Sequence, residues 1–141
     1  MLRFLITDDD DVTHAFMRHV LLGQGDVTHA FSGSEAVELC SRAVEAGTPF
    51  DCVLMDILMP GMDGWETIRA IMDFCDKAGA RPPKVVVTTC LPPSQYRESA
   101  KLPCPEDAYI HKPFDRRTVL AALSGLGLPV TRTEDRGEDF W

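Results

Sequence analysis

The chain has 141 residues, 45% of them hydrophobic, enough for one domain with its own core and too apolar for a disordered chain. Its net charge of −8 argues against the basic face that neutralising nucleic-acid phosphates requires. No apolar run approaches the roughly 18 residues of a membrane span, and Asp8 to Asp11 interrupt the N-terminal stretch before it reaches signal-peptide length, so a soluble, cytoplasmic protein is expected.

Strands and helices alternate along the chain. Residues 2–8 run from apolar to acidic and read as a first strand; Asp11 is placed to cap a helix over 12–22 that Gly23 ends. A short strand is expected over 27–31. Ser32-Gly33-Ser34-Glu35 has the spacing of a capping box, and the helix behind it carries Ala36, Leu39, Cys40 and Ala43 on one face and stops at Gly47. Residues 50–55 form an apolar third strand. Asp63 with Glu66 opens another helix, with Ile68, Ile71, Met72 and Cys75 as its stripe and Gly79 at its end. Val85-Val86-Val87 marks a fourth strand over 84–89. A short helix over 94–102 follows, bounded by Pro92-Pro93 and by Pro103 and Pro105. The fifth strand spans 108–111. Asp115 caps the last helix, with Phe114 and Val119 as a hydrophobic staple and Val119, Leu120, Leu123 and Leu126 facing inward. The domain is therefore expected over 1–128, with an acidic, fraying tail over 129–141 that closes on Phe140-Trp141. Such alternation implies a parallel sheet covered by helices on both faces.

The cysteines (Cys40, Cys52, Cys75, Cys90 and Cys104) are odd in number and contain no C-x-x-C, which fits reduced, mostly buried thiols. His14, His19, His29 and His111 show no spacing with cysteine that suggests zinc.

The most informative segment is Phe50-Asp51-Cys52-Val53-Leu54-Met55-Asp56, an apolar run ending in a carboxylate, with Met59-Pro60-Gly61 close behind. It would set Asp56 at the carboxyl edge of the sheet, where open α/β folds collect ligands. With Asp8-Asp9 after the first strand and His111-Lys112-Pro113-Phe114 after the fifth, the chain resembles the receiver domain of two-component response regulators over roughly residues 2–126. The resemblance implies a flavodoxin-like (βα)5 doubly wound fold with strand order 2-1-3-4-5. It also implies a site. Asp56 would be the phosphoacceptor; Asp9 and Asp56 would bind Mg²⁺ directly (Mn²⁺ is the alternative), Leu58 would add its backbone carbonyl, and Asp8 would act through a water. Lys112 would pair with Asp56 at rest and with the phosphoryl oxygens after transfer, oriented by a cis bond to Pro113. Thr89, with Thr88 as its rival, would hydrogen-bond the phosphoryl group, and Tyr109 would be the switch aromatic that follows it. The expected partners are a sensor histidine kinase or a histidine phosphotransfer protein and a downstream protein. No nucleic acid or membrane partner is expected, and the state is monomer or weak homodimer. The chain would not be a turnover enzyme. It reads either as a single-domain regulator of the chemotaxis or phosphorelay kind or as a piece of a larger protein.

Three other readings compete. Asp9-Asp10-Asp11-Val12-Thr13 matches D-x-D-x-T, the nucleophile motif of haloacid-dehalogenase-type phosphatases. That motif needs an apolar residue where Asp8 stands and a later acidic pair that is missing. A pseudo-receiver, never phosphorylated, would keep the fold and signal by contact alone. A flavodoxin-like cofactor binder would need a phosphate-cradling glycine loop, and Gly23-Gln24-Gly25 precedes a strand rather than a helix.

Leu58 and Leu91 follow Asp56 and Thr89 at the positions that tune acyl-phosphate lifetime in the family. Neither side chain can orient an attacking water. A phosphorylated chain should therefore lose its phosphate slowly on its own, over minutes or longer in a phosphate-release time course rather than seconds.

Overall fold

Period-two alternation decides which side of the sheet each strand residue feeds, and the strands here feed two separate cores. In the computed structural model, residues 1–90 and 108–131 are described. They form β1 (Leu2–Thr7), α1 (Asp11–Leu21), β2 (Gly25–Ala30), α2 (Gly33–Glu45), β3 (Cys52–Asp56), α3 (Gly64–Ala78), β4 (Lys84–Thr89), β5 (Ala108–His111) and α4 (Arg116–Gly125). The strands pair in parallel in the order β2-β1-β3-β4-β5, the expected one. The helix expected over 94–102 lies outside the described residues.

Leu5, Val53, Met55, Val85 and Val87 pack under α2 and α3, against Ala36, Cys40, Trp65, Ile68 and Ile71. Phe4, Ile6, Cys52, Leu54, Val86 and Ile110 pack under α1 and α4, against Phe16, Met17, Val20, Val119 and Leu123. Every residue of β3 is buried because a central parallel strand is covered on both faces. Cys40, Cys52 and Cys75 are buried thiols and Cys90 is exposed. Burial, with Cys75 nearby, pushes the Cys40 thiol up to about 12, so it behaves as a small apolar group. Among the described residues no helix is long and apolar enough to cross a membrane.

The caps show where local chemistry ruled. Asp63 accepts from the Glu66 amide at 2.9 Å while Glu66 accepts from the Asp63 amide at 3.2 Å, a complete capping box. Gly79 closes α3 in the left-handed region at φ 65°. Ser32 accepts from the Glu35 amide, but the Glu35 carboxylate accepts from Phe31 rather than Ser32, so the second arm of that box slips by one residue. The cap of α1 is Asp10, not Asp11: Asp10 accepts from the Val12 amide and from the Thr13 hydroxyl, and Asp11 is the first helical residue. Asp115 caps α4 as expected, and Phe114 packs onto the core that holds Val119.

Residues 129–131 lie against the domain. The Gln24 side-chain amide donates to the Thr131 carbonyl at 3.0 Å and accepts from the Thr131 amide at 2.7 Å, and Val130 packs on the α1–α4 core. Residues 132–141 lie outside the described ones.

Gly64, the first residue of α3, lies against the back of β3. A Cβ there would meet the Asp56 carbonyl oxygen at 2.4 Å and the Ile57 Cα at 2.7 Å, both main chain and unable to yield cheaply. Gly64→Ala should lower stability by about 1–3 kcal/mol, read as a shift of the urea midpoint at unchanged slope.

Candidate functional site

With the order β2-β1-β3-β4-β5, the topology reverses between β1 and β3, and the carboxyl ends of those strands open a crevice. Asp8 stands one residue past β1 and Asp56 is the last residue of β3. Asp8, Asp9 and Asp56 each offer a carboxylate oxygen within 4.8 Å of the others. Asp8 and Asp56 are buried and Asp9 is exposed. The donor set is all oxygen and triply anionic, which is what a hard divalent cation prefers.

Lys112 reaches this crevice from the end of β5. Its Nζ donates to Asp8 Oδ2 at 2.8 Å and lies 3.6 Å from Asp56 Oδ1. The expected resting pair with Asp56 is thus the longer of two contacts, and Asp8 is the nearer partner. The other Asp8 oxygen accepts from the Asp10 amide at 2.9 Å. Both Asp8 oxygens thus have protein donors. The Lys112–Pro113 bond is cis, as the resemblance implies.

The charges set the proton affinities. Burial, then the neighbouring Asp8, raises Asp56 to about 6, against the pull of Lys112. Burial alone would lower Lys112, but its hydrogen bond to Asp8 and the charges of Asp56 and Asp8 outweigh it and hold the ammonium above its ordinary value. The Val12 amide, chief among the bonds of the α1 cap, lowers Asp10.

Thr88 and Thr89 are both buried. Thr88 pairs with Asp56 across the sheet. By alternation it shares the face of Val86, under α1 and α4, whereas Thr89 follows Val85 and Val87 on the α2–α3 face. Tyr109 is half-buried on that same face, with its ring 6.4 Å from the Trp65 ring. The Lys112 amide donates to the Thr89 carbonyl at 2.7 Å. The Leu58 side chain is 52% exposed beside the crevice. Leu91 lies outside the described residues.

Two features escaped sequence reasoning. A cavity of about 290 Å³ lies beside Lys112, lined by Asp10, Thr13, Phe16, Cys90, Pro113 and Phe114. Its walls come from three separated segments, so no local pattern announces it. His14 and His29 meet Nδ1 to Nδ1 next to Asp8. The signal available was that His14 falls on the inner stripe of α1 with Met17 and Leu21.

A family model described as the response regulator receiver domain matches residues 4–124. Rice two-component response regulator ORR41 is 35% identical over 110 residues, covering 78% of this chain and 76% of that protein. The chemotaxis protein CheY of Halobacterium salinarum is 31% identical over 121 residues, covering 85% and 92%. Among solved structures, the receiver domain of the Arabidopsis thaliana histidine kinase CKI1, complexed with Mg²⁺ and BeF3⁻, superposes with a TM-score of 0.75 at 25% identity and 89% coverage of both chains. The chain spans only 12% to 13% of the length of the plant histidine kinases it matches.

Asp56 carries a buried charge beside two others. Its native proton affinity is raised from 3.8 to about 6, so the native state holds this proton more tightly than the unfolded chain between those values. From this group, stability rises as pH falls through 6 and is lowest above it. Without divalent ions, Asp56→Asn should therefore stabilise the protein by about 2 kcal/mol near pH 7.5, and the gain should vanish by about pH 4, measured by chemical denaturation in a chelator.

Proposed function

Because the chain belongs to the response regulator receiver domain family of two-component signalling, we propose that it is a Mg²⁺-dependent phosphoacceptor that takes a phosphoryl group onto Asp56 from a phosphohistidine. The observation that carries this reading is the crevice itself, in which Asp8, Asp9 and Asp56 converge and Lys112 reaches two of the three.

The nucleophile is an Asp56 carboxylate oxygen. Its proton affinity, raised only to about 6, leaves it ionised at neutral pH and more basic than an exposed carboxylate. The oxygen attacks phosphorus; the P–N bond to the donor imidazole breaks, and its electron pair returns to the ring nitrogen. The product is an aspartyl phosphate. Lys112 moves with the charge: its ammonium already contacts Asp8 and Asp56 and can follow the new phosphoryl oxygens without leaving Asp8. Asp9 and Asp56, with the Leu58 carbonyl, would hold Mg²⁺ or Mn²⁺, and Asp8 would hold it through water. Bound there, the ion neutralises charge on the transferring group, which is most of what phosphoryl transfer asks of a protein. The Thr89 hydroxyl is the group assigned to the phosphoryl oxygen, and Tyr109, on the same face, is the aromatic assigned to follow it.

The donor is a sensor histidine kinase or a histidine phosphotransfer protein, and the apolar cleft of Phe16, Pro113 and Phe114 beside Lys112 suits the flank of such a donor. The family is a signalling module rather than a substrate-turnover enzyme, so output passes by contact with a protein partner. Thr13 of the D-x-D-x-T match has another use: its hydroxyl donates to Asp10, the cap of α1.

Acetyl phosphate with Mg²⁺ should add about 80 Da, one phosphoryl group, by intact mass. The adduct should be lost in Asp56→Asn and when the ion is chelated, and Lys112→Ala should slow its formation. If neither acetyl phosphate nor a panel of histidine kinases labels the wild type, the pseudo-receiver reading takes its place.

A further inference from the structure

Asp8 lies beyond the last ladder residue of β1, and a side chain rather than a strand meets its carbonyl oxygen. That side chain is His14, whose Nε2 is 2.8 Å away. His14 is 2% exposed. Its other ring nitrogen, Nδ1, lies 2.6 Å from Nδ1 of His29 on β2. The Phe31 ring covers it at 4.0 Å between centroids and 30° between planes.

This geometry dictates where the protons sit. A carbonyl only accepts, so His14 carries hydrogen on Nε2. A neutral His14 then has a bare Nδ1, and His29 must bring the hydrogen on its own Nδ1. Burial holds His29 below the ordinary histidine range, which favours its neutral ring. The result is a one-way chain of donors, from His29 through His14 to Asp8. In metal centres, outer groups of this kind orient the inner ones.

We propose that His14 is a positioning residue for the acidic crevice. By holding the Asp8 carbonyl it fixes the peptide plane between Asp8 and Asp9, from whose two ends the carboxylates project, and His29 selects the tautomer that lets it do so. The proposal rests on the cation-binding reading given above.

The test joins two measurements. Long-range ¹H–¹⁵N correlation spectra of the ion-free wild type should show His14 protonated on Nε2 and His29 on Nδ1. Titration calorimetry with MgCl2 should show affinity about tenfold weaker in His14→Leu and within about threefold of wild type in His14→Gln, whose amide nitrogen can replace Nε2. Thermal unfolding without the ion separates this from a structural role, which would lower stability in both variants and leave the affinity of the folded protein unchanged. A bare Nε2 on His14 overturns the proposal. So does a folded His14→Leu with wild-type affinity, or a His14→Gln that loses as much as His14→Leu. If His14→Leu does not fold, the wild-type tautomers and His14→Gln decide. A wild type that takes up no Mg²⁺ sinks the cation reading instead, and the tautomers still decide whether His14 holds the Asp8 carbonyl.

Discussion

One ammonium facing three carboxylates and touching two of them governs this molecule. The sheet order places the ends of β1 and β3 side by side, so Asp8, Asp9 and Asp56 are brought together by topology. Lys112 cannot satisfy them equally. It lies 2.8 Å from Asp8 and 3.6 Å from Asp56, which leaves Asp56 buried and only partly compensated. An under-compensated buried carboxylate is unstable as an anion and receptive to whatever offsets its charge, a proton or a cation. The fit of the crevice to its proposed chemistry follows from that imbalance rather than from any one residue.

The remainder of the fold positions this edge. Gly64 lets α3 begin directly against the Asp56 carbonyl, where no side chain would fit. The capping box of Asp63 and Glu66 starts that helix at the same place. The α1 cap at Asp10 turns the chain away just after the acidic pair, and its amide returns a hydrogen bond to Asp8. Helix starts and acid site thus share residues.

The sequence made most of this legible because the decisive signals are local. The apolar run into Asp56, the β-branched run ending at Thr89 and the Lys112-Pro113-Phe114 segment each place a residue at a strand end without help from distant contacts. Where local signals tie, sequence reasoning fails. Four consecutive aspartates offer equal capping chemistry, and only the extended backbone of Asp10 with the Thr13 hydroxyl chooses among them. Glu35 has the spacing of a capping box, yet which amide its carboxylate takes depends on how Phe31 leaves β2. The preference of Lys112 for Asp8 is a difference of under an ångström set by strand register. His14 and His29 sit on different elements, and only the pairing of β1 with β2 brings them to Asp8. Pro129-Val130-Thr131 looked like loose tail because nothing in its own sequence reveals Gln24 as its partner.

The two cores have a consequence for how news of the acid site could travel. By alternation, Asp56 and Lys112 belong with Leu54 and Ile110 on the α1–α4 side, while Thr89 and Tyr109 belong with Val87 on the α2–α3 side. The sheet is a wall between two rooms. The hydrogen bond from the Lys112 amide to the Thr89 carbonyl lies within that wall, at its carboxyl edge. A shift of the lysine toward a new charge would pull on this bond, which ties the chain after β5 to the end of β4.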